Sequence, residues 1–365
     1  MVQIETTSRT YKIAAIPGDG IGAEVIGAGL EVLQALQARH GGFALDVEEF
    51  EWGSDYYRRH GRMMPADGLA RLADKDAIYF GAVGDPEIPD HVTLWGLRLA
   101  ICQGFDQYAN VRPARLLPGI ESPLRGVARG DLDWVIVREN SEGEYAGAGG
   151  RVHQGLPEEV GTDVAVFTRK GVERVMRFAF ELARSRPRKH LTCVTKSNAQ
   201  RHGMVLWDEV FAEMAGNYPD IATDKVLVDA MTTRMVGRPR DIDTVVATNL
   251  HADILSDLAA ALSGSLGIAP TANLNPEKRL PSMFEPIHGS GFDIAGKGIA
   301  NPVGAFWTAA MMLDHLGEGE AAGALMNAVE LALADGEAFT PDLGGNATTR
   351  QVTDKVLAAL NGTNA

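Results

Sequence analysis

The stretch Asn249–Asp257 reads NLHADILSD, and its reading decides how the rest of the chain is organised. It follows an apolar, strand-like run, Thr244–Thr248, and opens a helix that runs to about Gly264. A strand feeding directly into a helix is the repeating unit of an α/β fold. Asp253 and Asp257 are four residues apart, so on a helix both carboxylates share one face, while Leu255, Leu258 and Leu262 are free to be buried. Two like charges at that spacing repel unless a cation lies between them. Hard divalent cations take such a pair, with waters and substrate oxygens completing the shell. The alternative is that early-turn carboxylates merely complement the helix dipole, at ~0.3–1 kcal/mol each. Residues elsewhere bear on the choice.

At 365 residues the chain is too long for one small core, and two domains are expected. With 45% hydrophobic and 22% charged residues its composition is that of an ordinary soluble protein. No run approaches the ~20 apolar residues of a membrane span. The N-terminal MVQIETTSRTYK has no apolar signal core, which leads to the expectation of a cytoplasmic protein that is not exported. Cys102 and Cys193 are the only thiols and form no ligand-spaced cluster, which argues against zinc and a disulfide framework. The net charge of −14 argues against nucleic acid or an anionic membrane as partner. It also makes clustered arginines informative, because an acidic chain that binds an anionic small molecule must concentrate its positive charge locally.

The chain opens as strand, turn and helix: Tyr11–Ile16, Pro17–Gly22, then Glu24–Gln37. Gly18-x-Gly20-x-x-Ala23 after a strand imitates the dinucleotide fingerprint. The acid that should hold the ribose is misplaced, since Glu48, Glu49 and Glu51 fall about ten residues beyond the expected spacing. Short strands (Ala44–Trp52, Ala77–Gly81, Trp134–Arg138, Val164–Thr168, Leu191–Thr195, Lys225–Asp229) alternate with helices near Pro65–Leu72, Thr93–Phe105, Lys170–Ser185 and Gly203–Ala215. The glycine-rich segment Glu142–Gly155 reads as a loop forming an arm or flap. Helices at Pro302–Leu316, Glu320–Asp335 and Val352–Leu360 close the chain. There are no repeats and no linker, so the domains are expected to intertwine.

Four charged residues end or flank apolar strands, where α/β folds bind ligands. They are Arg112, held extended by Pro113, and Arg138, Lys196 and Asp229. Two guanidinium groups can fork carboxylates bidentately, Lys196 offers an amine for proton transfer, and Asp229 a third carboxylate for a metal. Tyr145, seven residues past Arg138, offers a phenol as acid. In Glu285–Pro302 the run His288-Gly289-Ser290-Gly291 suits a loop approached closely by a ligand. Asp293 there can accept from both ribose hydroxyls and repel a 2′-phosphate, and Asn301 can donate and accept towards a base edge. Each residue also has a structural reading: strand-end packing, a loop tyrosine, an Ω-type loop with Asp293 as a helix cap.

These residues lie in seven ordered motifs: IPGDGIGAE (16–24), FDQYANVRP (105–113), VRENSEGEY (137–145), VTKSNA (194–199), VDAMT (228–232), NLHADILSDLAAALSGSLG (249–267) and EPIHGSGFDIAGKGIANP (285–302). The chain thereby resembles the β-decarboxylating dehydrogenases, the isocitrate/isopropylmalate dehydrogenase family, from Ile13 to Leu360. LWG at 94–96 and FDQY at 105–108 point to its tartrate/D-malate branch. The resemblance implies two intertwined α/β domains that are not a Rossmann fold. It divides the chain into 1–104 plus 250–365 for the cofactor, and 105–249 for substrate and dimerisation, with a protruding arm near 142–165.

It implies that Arg112 and Arg138 hold a small hydroxy diacid, and that Asp229, Asp253 and Asp257 hold Mn²⁺ or Mg²⁺, with K⁺ as a further ion. Lys196 would be the base and Tyr145 the acid. His288, Gly289, Ser290, Asp293 and Asn301 would bind NAD; relatives that use NADP carry a lysine-tyrosine pair at Asp293-Ile294. The implied activity is oxidation of tartrate or D-malate, with β-decarboxylation of D-malate and meso-tartrate, in a homodimer with shared active sites. Isopropylmalate dehydrogenase, a metal-dependent lyase and a small-acid sensor are the alternatives. Two departures stand out. Where the family has an arginine ten residues before Arg112, this chain has Cys102, and Arg98 stands one helical turn earlier, leading to the expectation that it helps bind small polar diacids and excludes isopropylmalate; a surface Arg98 reaching into solvent is the alternative. The loop 290–292 reads Ser-Gly-Phe where relatives have Ser-Ala-Pro.

Overall fold

The computed structural model describes residues 9–362, so most of the N-terminal stretch considered for an export signal, through Ser8, lies outside it. Strand β1 (Arg9–Gly18), with Ile13 to Ile16 sealed from solvent, feeds helix α1 (Gly22–His40). That helix buries Val25, Ile26, Val32, Leu33 and Leu36, one face at helical spacing. Strands β2 (Phe43–Glu49) and β3 (Ala77–Ala82) flank β1 in parallel, with short helices α2 (Ser54–His60) and α3 (Gly68–Leu72) between them.

The expected helix 93–105 is three pieces: α4 (Asp90–Thr93), a wide π turn over Leu94–Arg98, and α5 (Leu99–Gly104). Then follow β4 (Ala109–Arg115), β5 (Asp133–Glu139), the hairpin β6 (Gly143–Val152) and β7 (Val160–Val166), α6 (Arg169–Ser185), β8 (His190–Thr195), α7 (Gly203–Ala215), β9 (Ala222–Leu227) and α8 (Val228–Gly237). The chain finishes with β10 (Thr244–Ala247), α9 (Asn249–Leu262), β11 (Pro270–Leu274), β12 (Ser282–Pro286), α10 (Val303–Leu316), α11 (Gly319–Leu333) and α12 (Thr349–Asn361).

Ten of these strands form one sheet in the order β2-β1-β3-β12-β11-β4-β5-β10-β8-β9. Both ends are parallel, and the middle pairs β12·β11, β11·β4 and β4·β5 are antiparallel. Segments 1–104 and 250–365 together supply β2, β1, β3, β12 and β11, and 105–249 supplies the rest, so the seam between them is β11 against β4. On the second half α6 buries Val172, Val175, Met176, Ala179, Phe180 and Ala183 against Trp207, Val210 and Phe211 of α7. The segment Glu142–Gly155 read as a loop holds strand β6 instead, paired with β7, which overlaps the strand expected at Val164–Thr168 and is exposed along its whole length. No helix among the described residues is long and apolar enough to cross a membrane.

Candidate active site

Helix α9 aims its first two turns at the sheet's second half. Thr248 caps it, accepting a hydrogen bond from the His251 N–H at 3.4 Å. Register places Arg138 beside Ala247 of β10 and opposite Asn110 of β4, so both arginines emerge under those turns. Arg138 Nε donates to Asn249 Oδ1 at 2.8 Å, and its Nη1 to Asp253 Oδ1. Arg112 Nη1 donates to the same carboxylate oxygen at 3.1 Å and to Ser256 Oγ at 2.6 Å, while its Nε is fixed by Asn110 Oδ1 at 2.8 Å. Tyr145, from the root of the arm, donates its hydroxyl to Asp253 Oδ2 at 3.1 Å, and the Arg138 guanidinium lies over its ring, 5.2 Å from the centroid. Asp257 stands one turn on, 4.0 Å from Arg112 Nη1.

Electrostatics follow from this crowding. Burial works against the Asp253 anion, yet Arg138, Arg112 and Arg98 together hold its carboxyl below the ordinary range. For Asp257 burial wins over Arg112, and its carboxyl is pushed up. Burial and then the neighbouring Arg138 bring Arg112 down to about 10. Burial followed by the Asp253 charge raises Tyr145, so its phenol stays protonated at neutral pH. These residues line a cavity of about 230 Å³ together with Leu94, Arg98, Thr271, Glu285, Ile287, His288 and Gly289.

Arg98 does not reach for solvent. The π turn delivers it to the cavity floor, where its Nε donates to Glu285 Oε1 at 2.7 Å and its Nη2 to Asn273 Oδ1 at 3.3 Å. Cys102, one turn on, is sealed in the apolar core. Asn273 Oδ1 also accepts from Asn110 at 2.6 Å and Asn140 at 3.0 Å, and Asn273 Nδ2 donates to Glu285 at 2.8 Å. Sequence reasoning missed this buried network of Asn110, Asn140, Asn273 and Glu285, of which Glu285 lines the cavity. The available signal was polar residues inside otherwise apolar strands, as in PTANL and SMFEP.

The remaining candidates sit in two places. His288 and Gly289 line the cavity; burial lowers the imidazole, and its Nε2 is buried without a partner. Ser290 follows, with its carbonyl accepting from Ile21 N–H at 2.7 Å. Asp293 is exposed, with no side-chain partner among the described residues. Asn301, expected to face a base edge, has its side-chain amide engaged within the chain. The amide is turned inward, Oδ1 accepting from Val303 N–H at 3.0 Å and Nδ2 donating to Asp342 at 3.0 Å, because it starts α10 from a buried position.

Lys196 and Asp229 lie elsewhere, beyond the ends of β8 and β9, and do not line the cavity. Asp229 is in the first turn of α8 rather than at a strand end, since β9 stops at Leu227. Lys196 Nζ donates to Asp229 Oδ1 at 2.5 Å, and this bond holds the Asp229 carboxyl down. Among the described residues no three His, Cys, Asp or Glu converge as a metal cage. Asp253 and Asp257 alone remain a fitting donor pair for a hard divalent cation, which needs only one or two protein carboxylates.

The isocitrate/isopropylmalate dehydrogenase family profile matches residues 12–356. A probable tartrate dehydrogenase/decarboxylase of Agrobacterium vitis is 69% identical over 356 residues, 98% of each chain. The D-malate dehydrogenase [decarboxylating] of Escherichia coli is 54% identical, over 96% of this chain and 99% of its own. Among solved structures, isocitrate dehydrogenase from Methylococcus capsulatus superposes with a TM-score of 0.86 at 36% identity, covering 96% of this chain and 99% of that one.

Proposed function

The chain belongs to the isocitrate/isopropylmalate dehydrogenase family, within its tartrate and D-malate dehydrogenase branch, and from that premise we propose that it oxidises tartrate and D-malate with NAD and Mn²⁺ or Mg²⁺. One observation carries the reading: two buried guanidinium groups and a phenol converge on Asp253, with Asp257 one turn away, around a cavity sized for a four-carbon acid. Asp253 already places a carboxylate on Arg138 and Arg112. A substrate carboxylate takes its place there in the bidentate geometry guanidinium prefers, which frees Asp253 to join Asp257 as metal ligands. Asp253 and Asp257 would hold the divalent ion, which would supply Lewis acidity towards the substrate hydroxyl, and NAD, held at the loop 288–293, would supply the hydride acceptor.

The residues of the chain handle the protons. Lys196 takes the hydroxyl proton as the C2 hydride leaves. For D-malate and meso-tartrate, CO₂ then departs and the Tyr145 phenol returns a proton to the carbon it leaves, giving pyruvate from D-malate and hydroxypyruvate from meso-tartrate. Hydroxypyruvate becomes glycerate only by taking the hydride back from NADH, so that conversion is redox-neutral, and tartrate that keeps its CO₂ ends as oxaloglycolate. Lys196 and Asp229 meet the cavity when two copies pair, each chain completing the other's site with a third carboxylate. Exposed Leu250 and Ile254 on α9, Val236 on α8, and Val152, Val160 and Val164 on the arm support such pairing. Asp293, an exposed carboxylate residue with no side-chain partner among the described residues, suits a ribose bearing a free 2′-hydroxyl, with His288, Gly289 and Ser290 facing the rest of NAD; K⁺ is a further ion of this reading. Arg98, on the cavity floor, gives the substrate's far end a polar wall unsuited to an isopropyl group.

The test is NADH absorbance with tartrate isomers, D-malate, isopropylmalate and isocitrate, with and without EDTA. Turnover of tartrate and D-malate that EDTA abolishes is expected. Full turnover after exhaustive chelation, or a preference for isopropylmalate, would refute it.

A further inference from the structure

The turn 17–22 imitates a dinucleotide fingerprint, yet its groups are spent inside the protein. The buried Asp19 carboxylate accepts from Ser54 N–H at 2.6 Å through Oδ1, and from Ser54 Oγ–H at 2.8 Å and Gly84 N–H at 2.9 Å through Oδ2. Asp19 N–H itself donates to Ala82 O at 2.9 Å. These bonds fix the turn against the strand end of β3 and the start of α2. The next two residues face the other way, onto the loop 288–291. Ile21 N–H donates to Ser290 O at 2.7 Å. Gly20, at φ +56°, lets that carbonyl in, since a Cβ there would stand 1.9 Å from Ser290 O. The Ile21 side chain packs on Gly291, whose added Cβ would meet Ile21 Cδ1 at 3.1 Å.

We propose that this turn is a clamp on the dinucleotide loop, with Asp19 the positioning residue, so that Asp19 and Gly20 set NAD affinity without touching NAD. The inference rests on loop 288–293 being the cofactor loop. Asp19 works as an acid and not as an amide. With both oxygens receiving backbone N–H groups, an asparagine in either orientation sets its NH₂ against a backbone donor, Ser54 N–H or Gly84 N–H. A donor–donor clash in a buried site cannot be relieved by water. The turn then shifts, and the Ile21–Ser290 hydrogen bond lengthens with it. Gly20→Ala pushes on the same carbonyl directly.

The experiment measures NADH binding by fluorescence and amide exchange over 287–293 in the native chain, Asp19→Asn and Gly20→Ala. Expected are an NADH Kd raised on the order of tenfold, the loss of about one well-made hydrogen bond, and faster exchange at Ile287–Phe292. At saturating NAD, kcat and the KM for tartrate should stay within about twofold, a split that general destabilisation does not produce. Unchanged Kd and unchanged exchange in both variants would overturn the clamp, as would a loss confined to kcat or substrate KM. Should Asp19→Asn not fold, Gly20→Ala and Ser54→Ala carry the comparison. If the native chain binds no NADH, the cofactor reading falls, and the exchange of the ligand-free chain still decides whether the turn holds the loop.

Discussion

Two acid–base clusters sit beyond strand ends of the same sheet and differ in kind. Around Asp253, Arg112 and Arg138 are 6% and 3% exposed, and each guanidinium is hydrogen-bonded through both its Nε and its Nη1. Around Asp229, Lys196 is 29% exposed and the carboxylate 65% exposed, and the two groups have each other. Burying two guanidinium groups beside one carboxylate is stable only while the carboxylate remains, because an uncompensated buried charge is far costlier than an unpaired surface one. An exposed ion pair contributes little and exchanges partners easily. The first cluster is thus built by folding, and the second is left available. A site divided in this way makes structural sense if the available half serves a neighbouring copy.

The largest expected effects break this contrast or keep it. Asp253→Asn should lower kcat/KM by ~10²–10³-fold or more and lower the melting temperature too, since removing it leaves Arg138 and Arg112 uncompensated at roughly 3 kcal/mol, the low end for a pair still partly open to water. Lys196→Ala should lose a comparable share of activity and leave the melting temperature in place. If both variants unfold alike, the distinction between built and available halves is wrong.

Next comes the cofactor. A 2′-phosphate beside Asp293 brings like charges together at a cost of several kcal/mol, so kcat/KM should favour NAD over NADP by roughly 10²-fold or more; equal values would mean that Asp293 does not face the ribose.

A smaller effect is expected at the cavity floor. Arg98→Leu should lower kcat/KM for tartrate and D-malate by about tenfold, one charge-assisted contact, and leave isopropylmalate unhindered by charge. Unchanged values for all three acids would show that the guanidinium only serves Glu285.

The smallest concerns the turn that joins the buried half to the arm. Glu139 accepts from Ser141 N–H at 2.9 Å, Glu142 N–H at 2.9 Å and the Ser141 hydroxyl, and burial pushes its carboxyl up to about 7. An unfolded glutamate titrates near ~4.3. Between those two values the folded chain binds the extra proton, so this residue's contribution to stability is fully present below ~4.3 and is lost as pH rises towards 7. The melting temperature of Glu139→Gln should therefore fall less steeply from pH 4.5 to pH 7.5 than that of the native chain, by about a degree or two. Parallel slopes would place Glu139 outside that titration.

Much of this was legible in the chain because periodicity and burial agree. The helix read from Asn249 to about Gly264 runs Asn249–Leu262, and the strand before it is Thr244–Ala247, since an apolar run and a Thr cap mark both ends. The arm was only half legible: the strand expected at Val164–Thr168 overlaps β7 (Val160–Val166), but β6 (Gly143–Val152) reads as a loop. Its residues face water on both sides, so no alternation records the pleat, and its glycines resemble a loop. The π turn at Leu94–Arg98 was likewise hidden, because one widened turn leaves the apolar spacing almost intact while redirecting Arg98 onto Glu285. For Asn301 the residue type suits a base edge, while the sequence did not show that its amide is held by Asp342 and the Val303 N–H. Arg112, Arg138, Tyr145, Asp253 and Asp257 are brought together as types and spacing suggested, whereas Lys196 and Asp229 pair with each other away from that cavity.

The divided site is tested most directly by mixing two inactive variants, Lys196→Ala and Arg112→Ala, under conditions that exchange subunits. Each heterodimer would hold one cavity with Arg112 intact facing a chain with Lys196 intact, so activity should return to roughly a quarter of native under random pairing. No recovery after verified exchange would contradict the account and place Lys196 in the same chain's own site.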